Sequence, residues 1–279
     1  MAGENRRIRG YLCASKITDL KKIRVASVSY LNAKPMLYGI RRHPIINEIE
    51  LVEDYPAKIA QMLIDDQVDV GLIPVAATLK LDEWHVVGDY CIGSEGEVAS
   101  VCIFSEVPME QVETVLLDYQ SRTSVNLARI LLKEYWHKNV QLVDASGEDY
   151  RELIRGTTAG VVIGDRALQQ RLRSKYSYDL GEAWKNHTGL PFVFAAWIAN
   201  KKLPESFAGQ FNAANALGFS HLEEVVRENP FPEFDLQDYY TSYISYKLTV
   251  EKRKGMALFL QKLKAMSAEA IQPLHVLNK

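Results

Sequence analysis

Three stretches carry polar side chains of kinds that bind or reorganise small anions. The first, Ser29-Tyr30-Leu31-Asn32, follows a short apolar run. The Asn32 amide can donate and accept at once, which suits a hydroxyl or carboxylate, and it can equally do no more than stabilise a turn. The second, Asp118-Tyr119-Gln120-Ser121-Arg122-Thr123-Ser124, precedes an amphipathic stretch. Hydroxyls at a helix N-terminus, with free backbone N–H groups and the helix dipole, make a ready carboxylate or phosphate site. Plain capping by Ser121 or Thr123, with Arg122 in solvent, needs a single hydroxyl, whereas this segment offers several beside an arginine. The third, Gly93-Ser94-Glu95-Gly96-Glu97-Val98-Ala99-Ser100, has glycines that let backbone N–H groups approach a ligand, although any tight turn looks similar. Asp165-Arg166, after Ile163-Gly164, reads either as a local ion pair or as a pair of site residues.

Other chemistries find little support. The 6 histidines show no HxxxH or comparable metal spacing. No GxGxxG, GxxxxGK[ST] or GxSxG motif occurs. The tyrosine stripe Tyr239, Tyr240, Tyr243 and Tyr246 reads as the packing face of a helix rather than a nucleotide platform. Across the 279 residues, 33 basic side chains stand against 35 acidic ones, without the basic excess by which proteins displace counterions from nucleic acid. The 3 cysteines, Cys13, Cys91 and Cys102, form no CxxC pair, in keeping with a reducing compartment. No apolar run reaches membrane-spanning length, and residues 1–22 lack the apolar core of an export signal. The expectation is a cytoplasmic protein with no membrane partner and a loosely ordered leader over residues 1–22.

The elements around these segments alternate. Strands are expected at residues 23–28, 50–53 and 68–73, with Pro35, Pro56 and Pro74 opening short helices between and after them. That alternation is the pattern of an open, mainly parallel α/β sheet, whose ligands sit beyond the carboxyl ends of the strands. The pattern then restarts. Strands are expected at 98–104, 112–117, 140–143, 159–163 and 192–198, and helices at 123–136, 148–155 and 165–172. The C-terminal part reads as helical, over 200–228, 236–247 and 249–266. Two α/β lobes follow: a first part over 23–104, a second lobe over 105–190, and a return to the first over 191–279. The strands 98–104 and 192–198 are the expected crossings.

The run Val25-Ala26-Ser27-Val28-Ser29-Tyr30-Leu31-Asn32-Ala33-Lys34-Pro35 resembles the opening of the chorismate dehydratases of the futalosine route to menaquinone. Val70-Gly71-Leu72-Ile73-Pro74-Val75, Ser100-Val101, Ser121-Arg122-Thr123-Ser124 and Gly164-Asp165 resemble that family in the same order. So do Asp179-Leu180-Gly181-Glu182-Ala183-Trp184 and Thr188-Gly189-Leu190-Pro191-Phe192-Val193-Phe194-Ala195-Ala196-Trp197.

The resemblance implies a type-II periplasmic-binding-protein-like fold, two α/β lobes joined by two crossing strands, used as an enzyme. It also implies dehydration of chorismate to 3-[(1-carboxyvinyl)oxy]benzoate with no metal or other cofactor. The expected catalytic residues are Asn32 and Ser100. Substrate contacts are expected from Ser29, Tyr30, Gly96, Val101, Ser121, Arg122, Thr123, Ser124 and Asp165. No histidine or lysine stands out as a base, so the enolpyruvyl carboxylate of the substrate is the expected proton acceptor. The alternative is a non-catalytic solute-binding protein for a small carboxylate, which would need an export signal.

Overall fold

A computed structural model describes residues 22–145 and 147–271; of the leader expected over 1–22, residues 1–21, Cys13 among them, lie outside that span. The chain opens with β1 (Ile23–Val28) and turns through Leu31–Ala33 into α1 (Lys34–Arg42), with Pro35 in its first turn. β2 (Ile49–Asp54), α2 (Pro56–Ile64), β3 (Val70–Pro74) and β4 (His85–Ser94) follow. Next come β5 (Val101–Ser105), β6 (Thr114–Leu117), α3 (Arg122–Glu134), β7 (Gln141–Asp144) and β8 (Thr158–Ile163). α4 (Asp165–Gln170), β9 (Tyr176–Asp179), α5 (Leu180–Thr188) and β10 (Phe192–Ala199) lead to the C-terminal part. That part holds α6 (Glu205–Phe219), α7 (Leu222–Glu228), a short α8 (Leu236–Asp238), a π-helical turn over Tyr239–Tyr243, β11 (Ser245–Lys247) and α9 (Val250–Ile271).

Among the described residues the strands form two sheets, ordered β11-β4-β10-β3-β1-β2 and β7-β6-β8-β5-β9. Both are mixed, which corrects the expectation of a mainly parallel sheet. The βαβ units keep β1 parallel to β2 and β3, and β6 parallel to β7 and β8. The strands that follow a crossing arrive from the other lobe and so run against their neighbours. β5 is antiparallel to β8 and β9, and β10 to β3 and β4.

This pairing also moves the crossings. The strand expected at 98–104 starts at Val101 and belongs wholly to the second sheet, so the chain changes sheet within residues 95–100 rather than after 104. The strand expected at 192–198 lies in the first sheet, with Phe192 opposite Ser94 and Val193 opposite Gly93. The return crossing therefore precedes it.

A single carboxylate ties the two crossings together. Asp179, at the end of β9, accepts from the backbone N–H of Val98 at 3.1 Å and of Ala99 at 2.8 Å. It also caps α5 through Gly181 N at 2.9 Å and Glu182 N at 3.1 Å. Bonds of this charge-assisted kind are the stronger ones. They hold Ala99 at φ 61°, a left-handed conformation that an L-residue with a Cβ adopts at a cost of about 1 kcal/mol or more.

The helix expected over 236–247 is broken. After α8 the backbone makes a π turn, then leaves helical geometry at Ile244 and pairs as β11 with the free edge of β4. Lys252, fully buried, fixes this arrangement. Its ammonium donates to the Ser245 carbonyl at 2.7 Å and the Lys247 carbonyl at 2.9 Å, and pairs with Glu95 at 3.4 Å. A π turn has more than four residues per turn, and here it sends both Tyr239 and Tyr240 inward.

In the first lobe α1 and α6 cross with their backbones almost touching. A Cβ on Gly39 would overlap the Ala214 carbonyl, and one on Gly218 would overlap the Pro35 carbonyl. Backbone atoms cannot step aside as a flexible side chain can, so an alanine must push the helices apart. Gly218→Ala should lower the free energy of unfolding by about 1–3 kcal/mol, seen as a reduced denaturation midpoint. An unchanged midpoint would show that the helix pair yields freely.

Candidate active site

The cleft between the lobes lies beyond the ends of β1, β3 and β8, where the turns Tyr30–Asn32, Val75–Lys80 and Gly164 leave their strands. Its walls include Val28, Pro74, Ile92, Val101, Ile163 and Phe194, with Tyr30, Asn32, Ser121 and Ser124 as its polar groups. Apolar walls with a few convergent polar atoms are the usual make-up of a small-molecule site. The volume is about 40 Å³, room for a few waters at most. Anything larger must enter with the lobes apart. A roomier hollow of about 540 Å³, beside Arg129, His137 and Met266, gathers none of the residues expected at the site.

Bonds between the lobes hold this closed state. The Leu31 N–H donates to Asp165 Oδ1 at 3.0 Å, and the Ala76 N–H to Thr123 Oγ1 at 3.0 Å. The Tyr30 hydroxyl donates to Gln120 Oε1, which also accepts from Arg166 Nη2 at 2.9 Å. The Tyr30 ring lies against Gly164, where φ is 62° and any Cβ would strike the ring. Burial pushes the Tyr30 phenol above its ordinary pKa, so it stays a donor at neutral pH.

At the N-terminus of α3 the serines interlock. Ser121 is the cap and accepts from Ser124 N at 3.2 Å, while its own hydroxyl donates to Ser124 Oγ at 3.0 Å. The Ser124 proton is left to give to a ligand. Of the other residues expected in this segment, Thr123 is spent on the bond between lobes. Arg122 is exposed on the outer surface, beside Asn126 and Arg129.

The remaining expected residues scatter around the cleft. Val101 lines it. Ser29 is exposed and turned out of it, and Gly96 packs its carbonyl against Gly181 at the start of α5. Ser100 is fully buried and lies behind the lining, its Oγ accepting from the Tyr239 hydroxyl at 2.7 Å. Asp165 and Arg166 do not pair with each other: Arg166 Nη2 meets Asp118 Oδ2 at 2.7 Å, and Tyr150 donates to the same oxygen at 2.7 Å.

Sequence reasoning missed Tyr239 and Tyr246. Tyr246 donates to the Asn32 carbonyl at 2.9 Å, and both tyrosines come from the stripe read as a packing face. Their only signal was the spacing of four tyrosines, which suits an ordinary helix equally well. Among the described residues no group of three or more His, Cys, Asp or Glu could hold a metal ion, and no helix is long and apolar enough to cross a membrane.

Asp165 has a carboxyl raised to about 6 by burial, against the Leu31 N–H and the nearby Lys34 and Arg166, which favour its charged form. The folded chain therefore keeps this proton between pH 3.8, the ordinary value, and about 6, where the unfolded chain has released it. Its contribution to stability is complete below the lower value and is lost as pH rises through the upper one. Asp165→Asn keeps an acceptor for Leu31 and removes the titration. Relative to the parent, this variant should gain roughly 1 kcal/mol between pH 5 and pH 8. Denaturant melts at both pH values check this, and parallel pH profiles would contradict it.

Comparison with known proteins agrees with this architecture. A protein from Archaeoglobus fulgidus superposes with a TM-score of 0.70 at 14% identity, covering 88% of this chain and 98% of that one. The periplasmic aliphatic sulphonate binding protein of Escherichia coli gives a TM-score of 0.62 at 14% identity, covering 92% and 94%. The fold is that of the periplasmic binding proteins. In sequence, the chain is 25% identical to a chorismate dehydratase of Thermus thermophilus, over 84% of this chain and 92% of that protein. It is 22% identical to a chorismate dehydratase of Campylobacter jejuni, over 86% and 97%. Residues 23–265 match the family model described as menaquinone biosynthesis, and the chain belongs to that family.

Proposed function

We propose that this chain is a chorismate dehydratase, a hydro-lyase that removes water from chorismate to give 3-[(1-carboxyvinyl)oxy]benzoate. Its place is in menaquinone biosynthesis by the futalosine route, in the cytoplasm. The observation that carries the reading is the cleft between the lobes, a mostly apolar lining that carries Ser121 and Ser124 from one lobe and Asn32 from the other as polar groups. With the lobes apart to admit it, a six-membered ring carrying a carboxylate and a hydroxyl suits the chemistry of that lining, and the two named relatives act on such a compound.

Loss of the C3 proton and the C4 hydroxyl makes the ring aromatic, so the reaction is downhill. The protein has to orient the groups and stabilise the charge that develops. Charge left at C3 spreads through the diene into the ring carboxylate. The free Ser124 proton and the N-terminal dipole of α3 are placed to receive it, and such preorganised donors favour the transition state. The enolpyruvyl carboxylate takes the C3 proton and passes it to the departing hydroxyl, which leaves as water. Well-oriented intramolecular proton transfer reaches effective molarities on the order of 10⁵ M, so a strong protein base is not needed. Asn32, with Ser100 behind it, holds the carboxylate and the hydroxyl in that relation.

Incubated with chorismate and no added metal or cofactor, the purified protein should form an aromatic product one water lighter, detected by chromatography and mass. Intact chorismate with a folded protein would favour a solute-binding role instead. Asn32→Ala and Ser124→Ala should each lower kcat by about 100-fold, the usual loss for a preorganised donor or acceptor, with smaller changes in KM. Full turnover in Asn32→Ala would remove that residue from the mechanism.

A further inference from the structure

The parallel run of β6, β7 and β8 brings their carboxyl ends to one edge of the second sheet. The end of β8, at Ile163 and Gly164, lines the cleft. The ends of β6 and β7, at Asp118 and Asp144, instead line a second hollow of about 490 Å³. Ser121 belongs to both walls, so the hollow adjoins the cleft at the cap of α3. Its other wall is the outer face of α3, where Arg122, Asn126 and Arg129 stand at helical spacing. Arg122 is exposed and makes no ion pair among the described residues. Arg129 pairs with Asp144 at 3.8 Å, and that carboxylate is 89% exposed. Asp118, the second carboxylate on the wall, is buried and already held by Arg166 and Tyr150. The hollow therefore carries more positive charge than its carboxylates answer.

We propose that Arg122 and Arg129 make this hollow the cationic mouth of the site: their field draws a dicarboxylate to the cleft, where neutral donors take it over. The proposal rests on the dehydratase reading, under which the substrate carries two ionised carboxylates at neutral pH. The polar groups of the cleft itself, Tyr30, Asn32, Ser121 and Ser124, are all neutral. Arg166 and Lys34, the cations behind it, are engaged by Asp118 and Glu53. The chain as a whole has a formal charge of -2, which repels a dianion. A patch of opposite sign at the entrance overcomes that repulsion, because a low-dielectric cleft focuses the field and raises the local concentration of a charged ligand. The closed cleft has room for a few waters at most, whereas the hollow stays open beside it. Its field acts on the dianion outside the mouth and inside the cleft alike, so it enters kcat/KM whichever step limits turnover.

Steady-state kinetics with chorismate at low and high ionic strength test this. At about 0.01 M salt, where charges act over about 30 Å, Arg122→Gln combined with Arg129→Gln should lower kcat/KM by about tenfold. Arg122→Gln alone, at an exposed position, should lose about threefold. Turnover at saturation should stay within about twofold of wild type, which also shows that the variants fold. At about 1 M salt, where the range shrinks to about 3 Å, the differences should vanish. Arg122→Lys with Arg129→Lys keeps the charge and should match wild type. Arg173→Gln removes an equal charge beyond the far end of α4 and should match it too. Wild-type kcat/KM in the glutamine variants at low salt, a loss that persists at high salt, or a lysine variant as slow as the glutamine one would overturn the proposal. An inactive wild type would overturn the dehydratase reading and this proposal with it, whereas an active wild type with indifferent variants overturns the cationic mouth alone.

Discussion

The carboxylate of Asp179 is the interaction on which the rest of this molecule depends. It sits at the end of the last strand of the second lobe and accepts four backbone N–H groups, two from each crossing region. Through Val98 and Ala99 it sets the path of the first crossing, and through Gly181 and Glu182 it starts the helix that leads to the return. A buried carboxylate is expensive unless its lone pairs are satisfied. Here satisfying them also joins two parts of the chain 80 residues apart, and it fixes Ala99 in the backbone conformation from which Ser100 and Val101 depart. Lys252 does the complementary work with the opposite charge, holding the carbonyls of β11 so that Tyr246 and the π turn keep their place.

From that fixed hinge the chemistry of the cleft follows. The polar groups that line it are neutral, and the charged ones stand behind them, Arg166 behind Gln120 and Tyr30, and Asp165 behind Leu31. Neutral donors in a dry apolar setting give strong hydrogen bonds without the desolvation cost of a buried ion pair. Such a site is suited to a reaction whose driving force lies in the substrate. Closure removes water from the ring, and the same bonds that close the lobes use up Thr123 and Tyr30. What is left to meet a ligand is the Ser124 proton on one side and the Asn32 amide on the other.

Much of this was legible in the sequence, for physical reasons that differ from element to element. β1 and the turn after it could be read because an apolar run ends abruptly in Ser29-Tyr30-Leu31-Asn32. The cap of α3 could be read because Ser121 precedes a strong amphipathic helix. β4 was missed, since Gly88, Asp89, Gly93 and Ser94 interrupt its apolar character, and its place in the sheet comes from pairing with β10. β11 and the π turn were missed because Lys252 and the edge of β4 impose them from outside the segment. Local pattern also could not separate the neighbours in Ser121-Arg122-Thr123-Ser124. Helical geometry turns Arg122 outward, gives Thr123 to the opposite lobe and leaves the two serines to the cleft. The partner of Arg166 is Asp118, 48 residues away, and not its sequence neighbour.

A crystal structure of the protein with its product, 3-[(1-carboxyvinyl)oxy]benzoate, tests the central claim most directly. The account predicts the ring between the apolar walls of the cleft, its carboxylate within hydrogen-bond reach of Ser124 Oγ, and C4 facing Asn32. Product bound outside the cleft, for example on the outer face of α3 beside Arg122 and Arg129, would contradict it.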